Sequence, residues 1–421
     1  NSPINRYHQV EDSRVEGNTI VDSDHIEFAA GSDEERSAVP ISTSFRNNLI
    51  VNTEPSDSIA VHDDISGIQF SGNVLSGVSK APAASGFESR HVRMDVHSNG
   101  LAYPTEDALS RTGVSRSLEV LQRATTGPDW YPKPGYGSEF DGGTVLHATP
   151  GDSRIFAALQ NAAAGDVIEL AAGVYTETKI LEVSQPVTIR GIAAGGDRPR
   201  IRFERTTLFE IQDGGSLRLD GVIIDGSLAP DTYGNSAVRT SPYSMLHNYQ
   251  LIADNVHVTD LDVNHSFNFL KVAKHTFANR ILIENSSFED VSGHIVALDR
   301  ETDDLGIYNA EYVTVRNSTF SNIGGSLASI YRGGTDESTF GPHFLLQNSH
   351  LDNVGNSKRN KSMASVFLLG VQVATIHVNQ FDSSRHVRVV ETVGDPITRI
   401  SNNRLVNTAK PEIGPLQRNA Y

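Results

Sequence analysis

One short pattern recurs along this chain, and its spacing limits what the chain can fold into more than any other feature. A β-branched run of alternating character leads into Asn or Gly. Two small or polar residues follow, then an apolar residue, then Asn, Asp or Gly. The pattern reads Arg14-Val15-Glu16-Gly17-Asn18-Thr19-Ile20, then Phe45-Arg46-Asn47-Asn48-Leu49-Ile50 and Ile68-Gln69-Phe70-Ser71-Gly72-Asn73-Val74-Leu75. It returns as Ile281-Leu282-Ile283-Glu284-Asn285-Ser286-Ser287-Phe288, Val313-Thr314-Val315-Arg316-Asn317-Ser318-Thr319-Phe320 and Phe344-Leu345-Leu346-Gln347-Asn348-Ser349-His350-Leu351. Later copies begin at Ile376 and Ile400.

From Gly17 to Asn47 is 30 residues and from Asn47 to Gly72 is 25; from Asn285 to Asn317 is 32 and from Asn317 to Asn348 is 31. Periods of this size mean stacked repeats, and a repeat of short strands joined by polar turns, without helical period, is one coil of a parallel β-helix. No coil buries its apolar face alone, so each stacks on its neighbours. Asn at a fixed turn position tolerates the left-handed conformation and can hydrogen-bond its counterpart one coil away. A β-propeller is the competing architecture, but its blades need about 40 residues with aromatic signatures that this chain lacks. The expected fold is therefore all-β, a right-handed parallel β-helix.

The repeat is interrupted. Residues 79–141 carry no coil pattern and include Gly127-Pro128-Asp129-Trp130-Tyr131-Pro132-Lys133-Pro134-Gly135, a Pro/Gly-rich linker. Before it, Ser115–Arg123 has the spacing of a short amphipathic helix. A second start follows, where residues 152–164 read as a helix with Asp152 or Ser153 as N-cap and Gly165 as stop. A helix over the open end of a stack protects its edge strands. The expected organisation is thus residues 1–78 as the last coils of one β-helix, residues 79–141 as a linker with a short helix, and residues 142–421 as a second, complete β-helix with an N-terminal capping helix. About three uncapped coils make a poor domain, which implies further coils before Asn1.

Composition narrows the chemistry. The 421 residues carry 35 basic and 51 acidic side chains, a net charge of −16. That argues against a nucleic-acid binder, and any anionic ligand must be met by a local basic cluster or a bound cation. Zero cysteines exclude disulfides, cysteine–zinc sites, iron–sulfur clusters and thiol nucleophiles. No apolar run is long enough for a membrane-spanning helix. The general hydrolase, metalloprotease, nucleotide and EF-hand motifs are also missing.

Three polar clusters remain. Arg6, Tyr7 and His8 lie one period before Arg36, so both arginines fall on the same edge of a stack. Stacked arginines beside a Tyr and a His suit an anionic sugar, through bidentate carboxylate contacts and ring stacking. The same residues also read as a solvated loop with surface ion pairs of little worth. The residues from Tyr331 to Pro342 read as a site loop or as an insertion between coils, and the insertion is favoured. Lys271, Lys274 and His275 form a weaker group, read as solvated. Only eight lysines occur in the chain and none precedes Lys80, so a lysine base beside Arg6 and Arg36 is not supplied locally.

A family likeness rests on these residues. Asn1-Ser2-Pro3-Ile4-Asn5-Arg6-Tyr7-His8-Gln9-Val10 and Ala30-Gly31-Ser32-Asp33-Glu34-Glu35-Arg36-Ser37-Ala38-Val39-Pro40 resemble the last catalytic-domain coils of polysaccharide lyase family 6, the alginate lyases and chondroitinase B. Ile330–Pro342, the Trp130–Lys133 linker and the restart near Asp152 are similar to the second β-helix of its two-domain alginate lyases. The resemblance implies cleavage of an anionic polysaccharide, alginate ahead of dermatan sulfate, by β-elimination. It also implies a Ca²⁺ held by Asn and Glu, a Lys that takes the C5 proton and an Arg that assists.

In the family those groups precede the Asn-Ser-Pro motif with which this chain begins, so no catalytic residue and no metal ligand is assigned here. What carries over is substrate contact by Arg6, Tyr7, His8 and Arg36. Secretion or a periplasmic location is expected, because alginate is extracellular. The second β-helix is expected either to form a homodimer or to close one end of the groove. A non-catalytic β-helix that binds polyuronate is the alternative reading.

Overall fold

A computed structural model of the chain describes residues 9–23, 25–30, 38–98, 100–106, 109, 111–119, 138–140, 142–301, 307–333, 342–392 and 396–415. The chain divides into two compact units, Asn1–Gly127 and Pro128–Tyr421. Both are stacks of parallel coils, and successive parallel strands joined by such crossovers wind right-handed. Among the described residues no helix is long and apolar enough to cross a membrane.

In the first unit one sheet pairs Arg14–Glu16, Thr43–Arg46 and Ile68–Ser71. A second pairs Thr19–Val21, Leu49–Ser56, Asn73–Val78 and Phe87–Ser89, and a third pairs Ile26–Phe28 with Ile59–Val61. The strands alternate as a half-buried strand must, so Phe28, Phe45, Ile50, Ile59, Ile68 and Leu75 meet inside. Phe28 packs edge-on against Phe45 and Phe70, with centroids 5.1 and 5.2 Å apart. Residues beyond Ser89, which lack the coil pattern, fold back on the second sheet. Val92 and Leu109 cover Leu49, Val51 and Val74 from outside. The amides of Gly113 and Val114 donate to Asn47 O and Thr19 Oγ1, at 2.7 and 2.8 Å.

The short helix expected over Ser115–Arg123 does not begin there. Ser115–Glu119 form a turn closed by the Leu118 amide on Ser115 O, and the rest of that segment lies outside the described residues. A lone helical turn repays its nucleation poorly unless an apolar face is buried, and Leu118 is exposed. The Trp130–Lys133 stretch also lies outside the described residues.

Among the described residues the second unit shows ten coils. Two of its sheets hold ten strands each, and the third holds nine. The missing strand is explained by helix α1, Arg154–Leu159, which follows the second-sheet strand Gly151–Asp152 in the first coil. The expected helix over 152–164 is thus real but shorter. Ser153 occupies the N-cap position in a left-handed conformation (φ 54°) without a side-chain cap. Its role is taken by Glu177 of the next coil, whose carboxylate accepts from the Ile155 and Phe156 amides at 2.9 and 3.3 Å. An anion at a helix N-terminus satisfies orphan donors and the helix dipole together. Burial nevertheless pushes the Glu177 carboxyl above its ordinary pKa, outweighing these hydrogen bonds.

Between first and second sheets the corner is two residues long in every coil except the one that spans residues 193–199. In the last seven coils its first residue is left-handed: Gly221, Asn255, Asn285, Asn317, Asn348, Val378 and Asn402 all have positive φ. The second residue points inward and builds a ladder. Ser286 Oγ accepts from the Val256 amide, Ser318 Oγ from Ser286, Ser349 Oγ from Ser318, Asn379 Oδ1 from Ser349 and Asn403 Oδ1 from Asn379, at 2.9–3.2 Å. The connections at the ends of third-sheet strands are the ones that vary in length, as at 226–235 and 241–248.

Candidate functional site

Arg6, Tyr7, His8 and Arg36 lie outside the described residues. In the same unit, the outer face of the first sheet carries two polar rows. Arg14, Ser44 and Gln69 are in register, and so are Glu16, Arg46 and Ser71. Ser44 Oγ donates to Glu16 Oε1 at 2.9 Å, and the Arg46 guanidinium donates to Gln69 Oε1. Two arginines thus stand on one solvent-facing strip among hydroxyl and amide groups.

The Tyr331–Pro342 cluster begins as structure. Tyr331 ends the strand Ala328–Tyr331, and Arg332 is completely buried behind it, its amide donating to Leu369 O at 2.9 Å. Residues 334–341 lie outside the described residues.

Lys271, read from the sequence as solvated, occupies a different setting. It ends the third-sheet strand Asn268–Lys271, is partly buried, and sits in register with Arg239 on one side and Ala297 on the other. Burial pushes the ammonium below its ordinary pKa. The charges of Arg300 and Arg239 push the same way, and Asp299 opposes them. Among the described residues Lys271 has no ion-pair partner. Its ammonium makes one hydrogen bond, a long one of 3.5 Å to Gly234 O.

The neighbours are better satisfied. Arg239 pairs with Glu210, which also accepts from Gln212 at 2.6 Å. Arg300 lies 3.7 Å from Asp299, and Ser329 Oγ donates to Asp299 at 3.4 Å. Nearby, burial pushes the His294 imidazole down, and its Nδ1 accepts from the Ser326 amide at 2.8 Å, which leaves the proton on Nε2. Lys274 is exposed, and the His275 amide donates to buried Glu301 at 2.6 Å, so neither joins Lys271.

Sequence reasoning passed over Arg239, Asp299 and Arg300. A signal existed, because Arg239 and Arg300 stand 32 residues before and 29 after Lys271, about one coil each way. It becomes readable only once the third-sheet strands are located. Among the described residues no three His, Asp or Glu side chains converge as a metal cage would require.

Comparison with known proteins joins the two units. A family model described as chondroitinase B matches residues 1–112. The solved structure of the PL6 family alginate lyase AlyGC matches all of this chain at 43 % identity with a TM-score of 0.73. An arginine-to-alanine mutant of that lyase matches equally. The chain spans 57 % of the length of either solved chain. No protein of curated function matches. Two units of stacked parallel coils with this likeness define a polysaccharide-lyase β-helix. The chain is similar to polysaccharide lyase family 6, the family of alginate lyases and chondroitinase B.

Proposed function

We propose that this chain is part of an alginate lyase that cleaves its polymer by β-elimination. The observation that carries the reading is the 43 % identity to an alginate lyase over the chain's whole length. In this reaction a base removes the C5 proton of a uronate, the electron pair forms the C4–C5 double bond, and O4 leaves with the neighbouring sugar. The proton is acidic enough to remove only when the adjacent carboxylate is neutralised, the work of a hard cation or close guanidiniums. On this reading Arg6, Tyr7, His8 and Arg36 hold the polymer by carboxylate contact and stacking, with the polar strip of Arg14 and Arg46 in the same unit.

Among the described residues no cluster of His, Asp or Glu offers a set of ligands for a cation. The Ca²⁺ ligands, the lysine and the assisting arginine would belong to coils of the lyase outside this chain. The lyase would meet its polymer outside the cell. The test is elimination on alginate, followed through absorbance of the new double bond. The chain alone is expected to release no product, and the chain extended by its upstream coding sequence is expected to release it. An extended protein that leaves alginate intact overturns the reading.

A second reading, a β-helix that only binds polyuronate, draws support from the unpaired Lys271 among arginines. It predicts binding without elimination in both forms.

A further inference from the structure

Lys271 is in an uncomfortable place for a protein without a ligand. A partly desolvated ammonium beside two guanidiniums is destabilised by each of them, and burial normally demands a partner. Glu210 is held by Arg239 and Gln212; Asp299 faces Arg300 and Ser329 with its Oδ1 buried and without a hydrogen bond, and among the described residues no carboxylate forms an ion pair with the lysine. The whole chain is acidic, so this excess of positive charge is local and against the trend.

An aromatic surface adjoins it. Tyr233 directly precedes Gly234, whose carbonyl takes the Lys271 hydrogen bond, and is 80 % exposed, with the His265 ring 6.3 Å away. A large ring left in water beside cations is the pairing that recognises a charged sugar, through stacking on the pyranose and contact with its carboxylate. The setting also suits a polymer. Arg239 and Lys271 repeat at the strand spacing, about 4.8 Å, and the long connections that carry Tyr233 and His265 enter third-sheet strands.

We propose that the outer face of the third sheet in the second unit, around Lys271, binds an anionic polysaccharide built of uronic acids. Lys271 and Arg300 take carboxylates, and Tyr233 supports a sugar ring. The choice of a uronan rests on the lyase reading above, whereas the site itself rests on the lysine's surroundings.

The test is calorimetric titration of the 421-residue chain with oligomannuronate, oligoguluronate and dermatan sulfate oligosaccharides, with a neutral glucan as control. An Arg6→Ala, Arg36→Ala background keeps the contacts proposed for the first unit from masking the result. Uronan binding is expected, with a loss of about tenfold in Lys271→Met, the worth of one charged hydrogen bond. Lys271→Arg should restore most of the affinity, Tyr233→Ala should weaken it, and Arg399→Gln on the first sheet should change nothing. Thermal melting of each variant shows that the fold is kept.

Binding that ignores Lys271→Met overturns this inference and leaves the alginate reading standing. Dermatan sulfate bound through Lys271 with alginate refused keeps the site and sinks alginate as its ligand. A background protein that binds none of the three polymers overturns the inference outright.

Discussion

Asn48 donates twice to Asn73, one coil away: its backbone amide and its side-chain Nδ2 both reach Asn73 Oδ1, at 3.0 and 3.1 Å. Both side chains are fully buried. Asn48 Nδ2 also reaches back to Val15 O at 2.9 Å, and its Oδ1 accepts from the Asn18 amide at 2.9 Å. One side chain therefore ties three coils. Asn48→Ala removes the side-chain bonds to Val15 O, to the Asn18 amide and to buried Asn73 Oδ1, each worth about 1 kcal/mol. The expected loss is about 3 kcal/mol, read as a lower urea midpoint for the first unit. A loss below about 0.5 kcal/mol, the scale of an ordinary surface substitution, would mean that the ladder contributes little.

Val378 stands at a corner where neighbouring coils place Asn, with φ of 58°. A β-branched residue in the left-handed region is strained by about 1–3 kcal/mol. Its side chain is half exposed, so little burial offsets the strain. Val378→Asn relieves it and adds a rung beyond Asn348, which already donates to Asn317 Oδ1 at 2.8 Å. The second unit should melt roughly 2–4 °C higher. An unchanged or lower melting temperature would contradict the strain argument.

Asp225 is buried between two arginines, with Arg200 Nη1 and Arg202 Nε at 2.9 and 3.1 Å from its Oδ2. Burial pushes its carboxyl up, but the Ser227 hydrogen bonds and the two guanidiniums together hold it below the usual carboxylate value. A depressed carboxylate stabilises the fold above its unfolded pKa, and that contribution fades as pH falls through the folded one. Asp225→Asn should therefore cost about 3 kcal/mol at neutral pH. The gap to the parent should narrow below about pH 4, the unfolded value for Asp. Urea titrations at several pH values check it, and a gap that widens in acid would refute it.

Phe140 is completely buried against Ile252 and Leu282 on the outer side of the first sheet. Its carbonyl accepts from Thr188 Oγ1 at 3.0 Å, and Glu139 beside it accepts from Gln250 at 2.7 Å. Phe140→Ala opens a cavity under a short segment and should cost about 3–5 kcal/mol. Amide exchange at Leu251 and Ile252 should quicken with it. Unchanged exchange would show that the segment rests on the sheet without bracing it.

The coil pattern was readable because corner chemistry and strand alternation agree in each repeat. Asn47, Asn285, Asn317 and Asn348 fall at the left-handed corners that their spacing suggested. The capping helix was legible in kind and too long in extent, because its true N-terminal partner, Glu177, lies a coil away in space and sequence. The Lys271 surroundings were illegible for a related reason. Third-sheet strands are bounded by connections of unequal length, so the register that unites Arg239 with Lys271 has no fixed period to betray it.

The constant two-residue corner between first and second sheets has a consequence for how such a chain tolerates change. One residue added between Arg316 and Thr319 would turn the following strand over, driving Ser321 toward the core and Phe320 into water. Ten residues added between Asp225 and Ser236 need alter no strand pairing, since that corner already carries a long excursion. Outside the coil of residues 193–199, one edge of the coil is held to two residues, and the edge beside Tyr233 and Lys271 is where new specificity can be written.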